Sequence, residues 1–209
     1  MWGFRWERNA SPRKLPEWLT EPEVNKLIDS VDNLRDKTIL ELMYATGCRP
    51  KELRSIQISK IDFTTREIRV MGKDEDGAYR KERFILFTKR ALTLVKRYLK
   101  ERRPQPSFED ILFLNGNGEG LSPDELNKMV KGHIKTILLR DIKHPNPAYI
   151  LRHSFATNLM NRDVGEQYLS PLMGHKDFVA TQFYTHLAIK RLCEQHKKFF
   201  QFSQAVRPL

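Results

Sequence analysis

The sequence predicts a mainly helical domain carrying one small three-stranded antiparallel sheet. Apolar residues recur at helical spacing behind two capping boxes, Thr20/Glu23 and Ser122/Glu125. Between Ile56 and Phe87 the apolar period shortens to two, as strands require, and the helical period then returns. A chain of 209 residues suffices for one well-buried domain, or two small ones.

In chain order, residues 1–15 mix aromatic and basic side chains and read as a tail or linker remnant. The first helix follows Thr20, with Pro22 in its opening turn and Val24, Leu27, Ile28 and Val31 on one face. A second, over Arg35 to Thr46, carries Ile39, Leu40, Leu42 and Met43 and stops at Gly47. Pro50 opens a third, short helix that buries Leu53. Ile56, Ile58 and Ile61 predict the first strand, Ile68 and Val70 the second, and the apolar run Phe84 to Phe87 the third. Gly72 to Tyr79 is a polar turn between the last two. Helix resumes over Thr88 to Arg103 until Pro104 and Pro106 break it, and Asn115-Gly116-Asn117-Gly118 marks a tight turn. The Ser122 box starts a helix to about Leu138, and His144-Pro145-Asn146-Pro147 is a rigid connector. Tyr149 to about Phe202 predicts helices broken at Asp163, Gly174 and near Thr185.

The net charge of +11 favours a polyanionic partner, because basic surfaces attract phosphates and gain from counterion release. Cys48 and Cys193, the only cysteines, are too few for a disulfide framework and lack metal-ligand spacing. No apolar run approaches the ~20 residues of a transmembrane helix, and residues 1–14 lack the apolar core of a signal peptide. The expectation is a cytoplasmic protein.

Four short motifs carry the chemistry. Thr46-Gly47-Cys48-Arg49-Pro50-Lys51-Glu52-Leu53 sets Arg49 between a helix-ending glycine and a helix-starting proline. Leu151-Arg152-His153 falls at a predicted helix start, where backbone N–H groups favour an anion. Met173-Gly174-His175 and Phe183-Tyr184-Thr185-His186 follow. Guanidinium forks donate paired hydrogen bonds to phosphate oxygens in a way lysine cannot. The plain alternatives are a surface ion pair of Arg49 with Glu52, a capping role for Arg152 and a core histidine at His175. Ile39 to Ile58 also has the outline of a helix-turn-helix.

In this order the motifs resemble the catalytic domain of the tyrosine recombinases, or phage integrases, over roughly residues 16 to 198. The resemblance implies the DNA breaking-rejoining fold and a site of Arg49, Lys73, Tyr149, Arg152, His175 and Tyr184, with Glu52 and His153 supporting. Tyr184 would attack a scissile phosphate to give a 3′-phosphotyrosyl enzyme and a free 5′-hydroxyl. Arg49 and Arg152 would neutralise the pentacoordinate phosphorus, with Glu52 orienting Arg49. Lys73 matches the family's hairpin lysine, a general acid, with Lys81 or a solvated turn lysine as the alternatives. Arg80, Lys81 and Arg83, with Lys51, would contact the DNA backbone. The bond energy is kept, so neither cofactor nor metal is expected, consistent with the lack of a phosphate-cradling Gly-Lys-Ser motif or carboxylate cluster in the sequence.

One position departs from the pattern. The family's His-x-x-Arg box has Tyr149 where the histidine stands, so water or His175 could take the base role. Residues 16–209 are expected to form the catalytic domain, with the family's preceding DNA-clamping domain absent, as a fragment or a minimal form. The expected partners are double-stranded DNA and further copies of the chain, a tetramer on DNA, with the basic amphipathic stretch Ile189 to Val206 docking on a neighbour or on its own domain. A non-catalytic DNA-binding regulator and a type IB topoisomerase are the alternative functions.

Overall fold

The computed structural model describes residues 17–71 and 82–162, together with Leu169, Leu172, Met173 and His196. Within these the order is α1 (Glu21–Asp29), α2 (Leu34–Thr46), α3 (Pro50–Arg54), β1 (Ile61–Asp62), β2 (Glu67–Met71), β3 (Glu82–Leu86), α4 (Lys89–Glu101), α5 (Pro123–Leu138) and α6 (Tyr149–Met160). The predicted class, helices around a small antiparallel sheet, is what the chain adopts. The tail, the turn after Met71 and the helical reading of residues 163–202 lie outside the described residues apart from the four named.

Both capping boxes form. The Thr20 backbone N–H donates to Glu23 Oε2 at 2.7 Å, and that of Ser122 to Glu125 Oε2 at 2.8 Å, satisfying N–H groups that a helix start would otherwise leave open. Helix α2 is buried on every side and packs against α1, α4 and α6, making it the centre of the core. Its buried Glu41 is paired with Arg90 at 2.9 Å and accepts from Thr88 at 3.2 Å. It ends at Gly47, whose φ of 60° is left-handed and whose missing Cβ makes room for the Phe155 ring of α6. That close approach brings the α2–α3 turn against α6.

The sheet runs β1-β2-β3, with Ile61 opposite Ile68, Ile68 opposite Ile85, and Val70 opposite Arg83. One strand expectation needs correction. Ile56 to Ile61 is not a strand: β1 holds only Ile61 and Asp62, and Ile58–Lys60 is a 3-10 turn. The backbone groups of 56–59 are taken by a distant segment instead. The Ile58 N–H donates to the Asp110 carbonyl at 2.7 Å, the Leu112 N–H to the Ile56 carbonyl at 2.9 Å, and the Ser59 N–H to the Asp110 carboxylate at 2.8 Å. The third expected strand forms as β3, with Phe84 facing outward beneath the Arg69 guanidinium.

The helix-turn-helix outline is realised only in part. Helix α3 has five residues and α2 is enclosed by its neighbours, so neither presents a long face to a DNA groove. Among the described residues no helix is long and apolar enough to cross a membrane.

Candidate active site

Three arginines from separate segments gather around one carboxylate, two of them bonded to it and the third within reach of its charge. Arg49 follows the Gly47 turn, Arg83 sits mid-β3 and Arg152 lies in the first turn and a half of α6. Glu52, the third residue of α3, is their shared partner or neighbour. Pro50 fixes the start of α3, so Glu52 turns back and its Oε2 accepts the Arg49 backbone N–H at 2.7 Å. Its Oε1 accepts from Arg49 Nη1 at 3.1 Å. Arg83 adds a bidentate grip, Nε to Oε1 at 3.2 Å and Nη2 to Oε2 at 2.8 Å. Glu52 is 4% exposed; burial pushes its carboxyl up, but the Arg83 bond and charge and the Arg49 N–H and charge outweigh this and hold it low.

Arg152 is 5% exposed and, among the described residues, is aimed by two backbone oxygens. Its Nη1 donates to the Gly47 carbonyl and its Nη2 to the Met173 carbonyl, each at 2.7 Å. Burial, then the positive charges of Arg49 and Arg83, pull its pKa down to about 10, against the opposing pull of Glu52. A guanidinium so crowded by like charge gains by the arrival of an anion. Among the described residues three guanidiniums stand around one carboxylate, and Arg49, 32% exposed, is the member open to solvent.

The expectations fare unevenly. Glu52 bonds Arg49, the contact that a supporting role and a plain ion pair both require. Arg83 is not on the surface reaching for DNA: its fork is spent on Glu52, and Nη1 donates to the Leu172 carbonyl at 2.7 Å. The free N–H groups expected at the start of α6 are partly occupied, since Tyr149 donates to the Asn146 carbonyl and Ile150 to that of Pro147, both at 3.0 Å. Anion binding here would therefore rest on side chains. Lys51 is exposed on α3. Lys73, Arg80, Lys81, His175 and Tyr184 lie outside the described residues, as does the stretch Ile189 to Val206 except for His196, which is buried with its Nε2 2.9 Å from the Ala45 carbonyl.

Tyr149, Arg152 and His153 share a helical face, being three and four residues apart. The Tyr149 ring sits among imidazoles, 6.1 Å from His144 and 6.2 Å from His153, with the two imidazoles 5.8 Å apart. Burial, then the charges of His144 and Arg152, lower the His153 pKa, so it is held neutral near pH 7. His144 went unnoticed in the sequence because it sits in a proline connector with no helical phase to aim it. Cys48 is fully buried and burial raises its thiol to about 11, consistent with a packing role and not a nucleophile.

Residues 17–191 match the model of the phage integrase family. Tyrosine recombinase XerD of Listeria monocytogenes serotype 4b is 36% identical over 194 residues, which cover 88% of this chain and 63% of the relative. Tyrosine recombinase XerA of Pyrococcus horikoshii is 35% identical over 187 residues, 90% of this chain and 62% of the relative. Among solved structures, that of XerA recombinase superposes with a TM-score of 0.66 at 26% identity, covering 89% of this chain and 67% of the other. XerH site-specific recombinase bound to palindromic difH substrate, in a post-cleavage complex, gives 0.68 at 28% identity, covering 90% and 54%. The chain therefore belongs to the phage integrase family, the tyrosine recombinases. It spans a little under two thirds of the length of the curated relatives named here.

Proposed function

We infer that this chain supplies the chemistry of a site-specific DNA recombinase, with residues 16–209 as its catalytic domain. The pairing of Arg49 and Arg83 with Glu52, beside Arg152 anchored on the Gly47 turn, carries the reading, because these residues build a half-open site rich in guanidinium groups. A phosphodiester fits that charge, and the buried members are already aimed, so little reorganisation is needed when negative charge develops. The relatives' names and the DNA complex of XerH support the same substrate class.

In this mechanism Arg49 and Arg152 bind the non-bridging oxygens of a DNA phosphate. The Tyr184 oxygen, passing its proton to water or His175, attacks the phosphorus as the phosphorus–O5′ bond breaks, and Lys73 gives its proton to the departing oxygen. The phosphotyrosyl bond conserves the energy of the broken one, and attack by a 5′-hydroxyl reverses the step. His175 donates a hydrogen bond to the phosphate. Tyr149 takes the place of the family histidine, with His153 packed against it. Lys51, Arg80 and Lys81 meet the DNA backbone, while further copies assemble on DNA and the segment Ile189 to Val206 docks on a neighbour or on its own domain, where its His196 lies against the Ala45 carbonyl of α2. Working on DNA, the protein belongs in the cytoplasm.

A pool of nicked suicide duplexes, on which the cleaved strand's short end diffuses away, tests the reading. A protein–DNA adduct that survives denaturation and disappears in Tyr184→Phe is expected. No adduct across the pool would favour a DNA-binding regulator instead.

A further inference from the structure

We propose that Arg83 is a positioning residue that fixes Glu52 beneath Arg49 and tethers the segment preceding Gly174-His175 to the sheet. Its guanidinium serves three acceptors at once. Nε and Nη2 hold the two Glu52 oxygens at 3.2 and 2.8 Å, and Nη1 holds the Leu172 carbonyl at 2.7 Å. The next carbonyl, that of Met173, is held by Arg152. Strand β3 and helix α6 thus grip consecutive peptide units, and both grips trace back to the turn carrying Arg49. With Arg83 absent, the 4%-exposed Glu52 carboxylate would keep only Arg49 among these arginines bonded to it, drawing that guanidinium inward and away from a phosphate. Lysine cannot replace the fork, because a point charge cannot satisfy three acceptors in fixed directions.

The inference rests on the recombinase reading, and two measurements keep the two apart. The first compares Arg83→Ala and Arg83→Lys with the parent, reading DNA affinity and single-turnover adduct formation at saturating duplex. Positioning predicts a loss of about 100-fold in adduct rate for both variants, the size of loss that a misplaced catalytic group causes, with DNA affinity changed less than about threefold. A normal rate at saturation with weaker binding and a salt slope reduced by about one would make Arg83 a backbone contact and overturn the proposal. Full recovery in Arg83→Lys would overturn it too, since charge without geometry would then suffice. The second measurement is hydrogen exchange in the peptide holding Leu172 and Met173, which needs no activity. Faster exchange there in both variants, with far-UV circular dichroism unchanged, is expected; parent-like exchange would refute the tether. A parent protein that forms no adduct sinks the recombinase reading and leaves the exchange result to judge Arg83.

Discussion

Arg152 donates to the carbonyl of Gly47 at 2.7 Å, so the guanidinium of the second arginine box is anchored on the turn that presents the first. Gly47 and Arg152 are 105 residues apart in sequence, and the two boxes become one site through that bond and the seating of the Phe155 ring against Gly47.

Substituting Arg152 should therefore injure fold and chemistry together. Arg152→Ala leaves the Gly47 and Met173 carbonyls without this donor, at about 1–3 kcal/mol for each oxygen that water cannot reach. Urea unfolding measures that loss. Adduct formation should fall by at least the ~10²-fold typical of removing one preorganised charge-stabilising donor, and Arg152→Lys should restore less than a tenth of it.

Glu52 makes the fold sensitive to acid. Its folded pKa lies below its unfolded value, so its contribution is fully present above the ordinary glutamate value of ~4.3 and is lost as pH falls through the lower folded value. Melting temperature should drop in that window. Glu52→Gln should lower stability near neutral pH, by up to the ~3–5 kcal/mol of a broken buried pair, and flatten the acid dependence. An unchanged acid limb in the variant would contradict this.

His153 adds a second, separate dependence. Its folded pKa is depressed, so the unfolded chain binds the proton more readily and stability declines as pH falls below ~6.5. His153→Asn should reduce the change in melting temperature between pH 7 and 5. At the neighbouring position, Tyr149→His should raise the cleavage rate or leave it unchanged, measured as single-turnover adduct formation across the same range. A loss beyond tenfold would show that the phenol itself is required.

The Gly47 turn should tolerate no side chain. Gly47→Ala puts a residue at φ of 60°, which costs about 1–2 kcal/mol, and drives its Cβ into the Phe155 ring. Thermal unfolding should show more than that strain alone, with partial recovery in Gly47→Ala/Phe155→Leu.

Local signals were legible in the sequence and tertiary ones were not. Thr20, Ser122 and Gly47 announce helix ends because caps and left-handed stops are chemistry of a few adjacent residues. Ile56 and Ile58 misled because their backbone partners, Asp110 and Leu112, lie some fifty residues away. Arg83 looked like part of a basic surface run with Arg80 and Lys81. Its strand phase told otherwise: it shares a face with Ile85 and lies opposite Val70, both buried, while Glu82 and Phe84 point out. The role of Glu52 was legible from its spacing to Arg49; its second arginine was not, since nothing local joins α3 to β3.

The most direct test is to locate the nucleotide on the protein. Trapped adduct, digested with nuclease and protease and sequenced by mass spectrometry, should carry the 3′-phosphoryl nucleotide on the Tyr184 peptide, with yield lost in Arg49→Ala and Arg152→Ala. A nucleotide attached to any other residue, or an undiminished yield without either arginine, would contradict a phenol attacking a phosphate held by these guanidiniums.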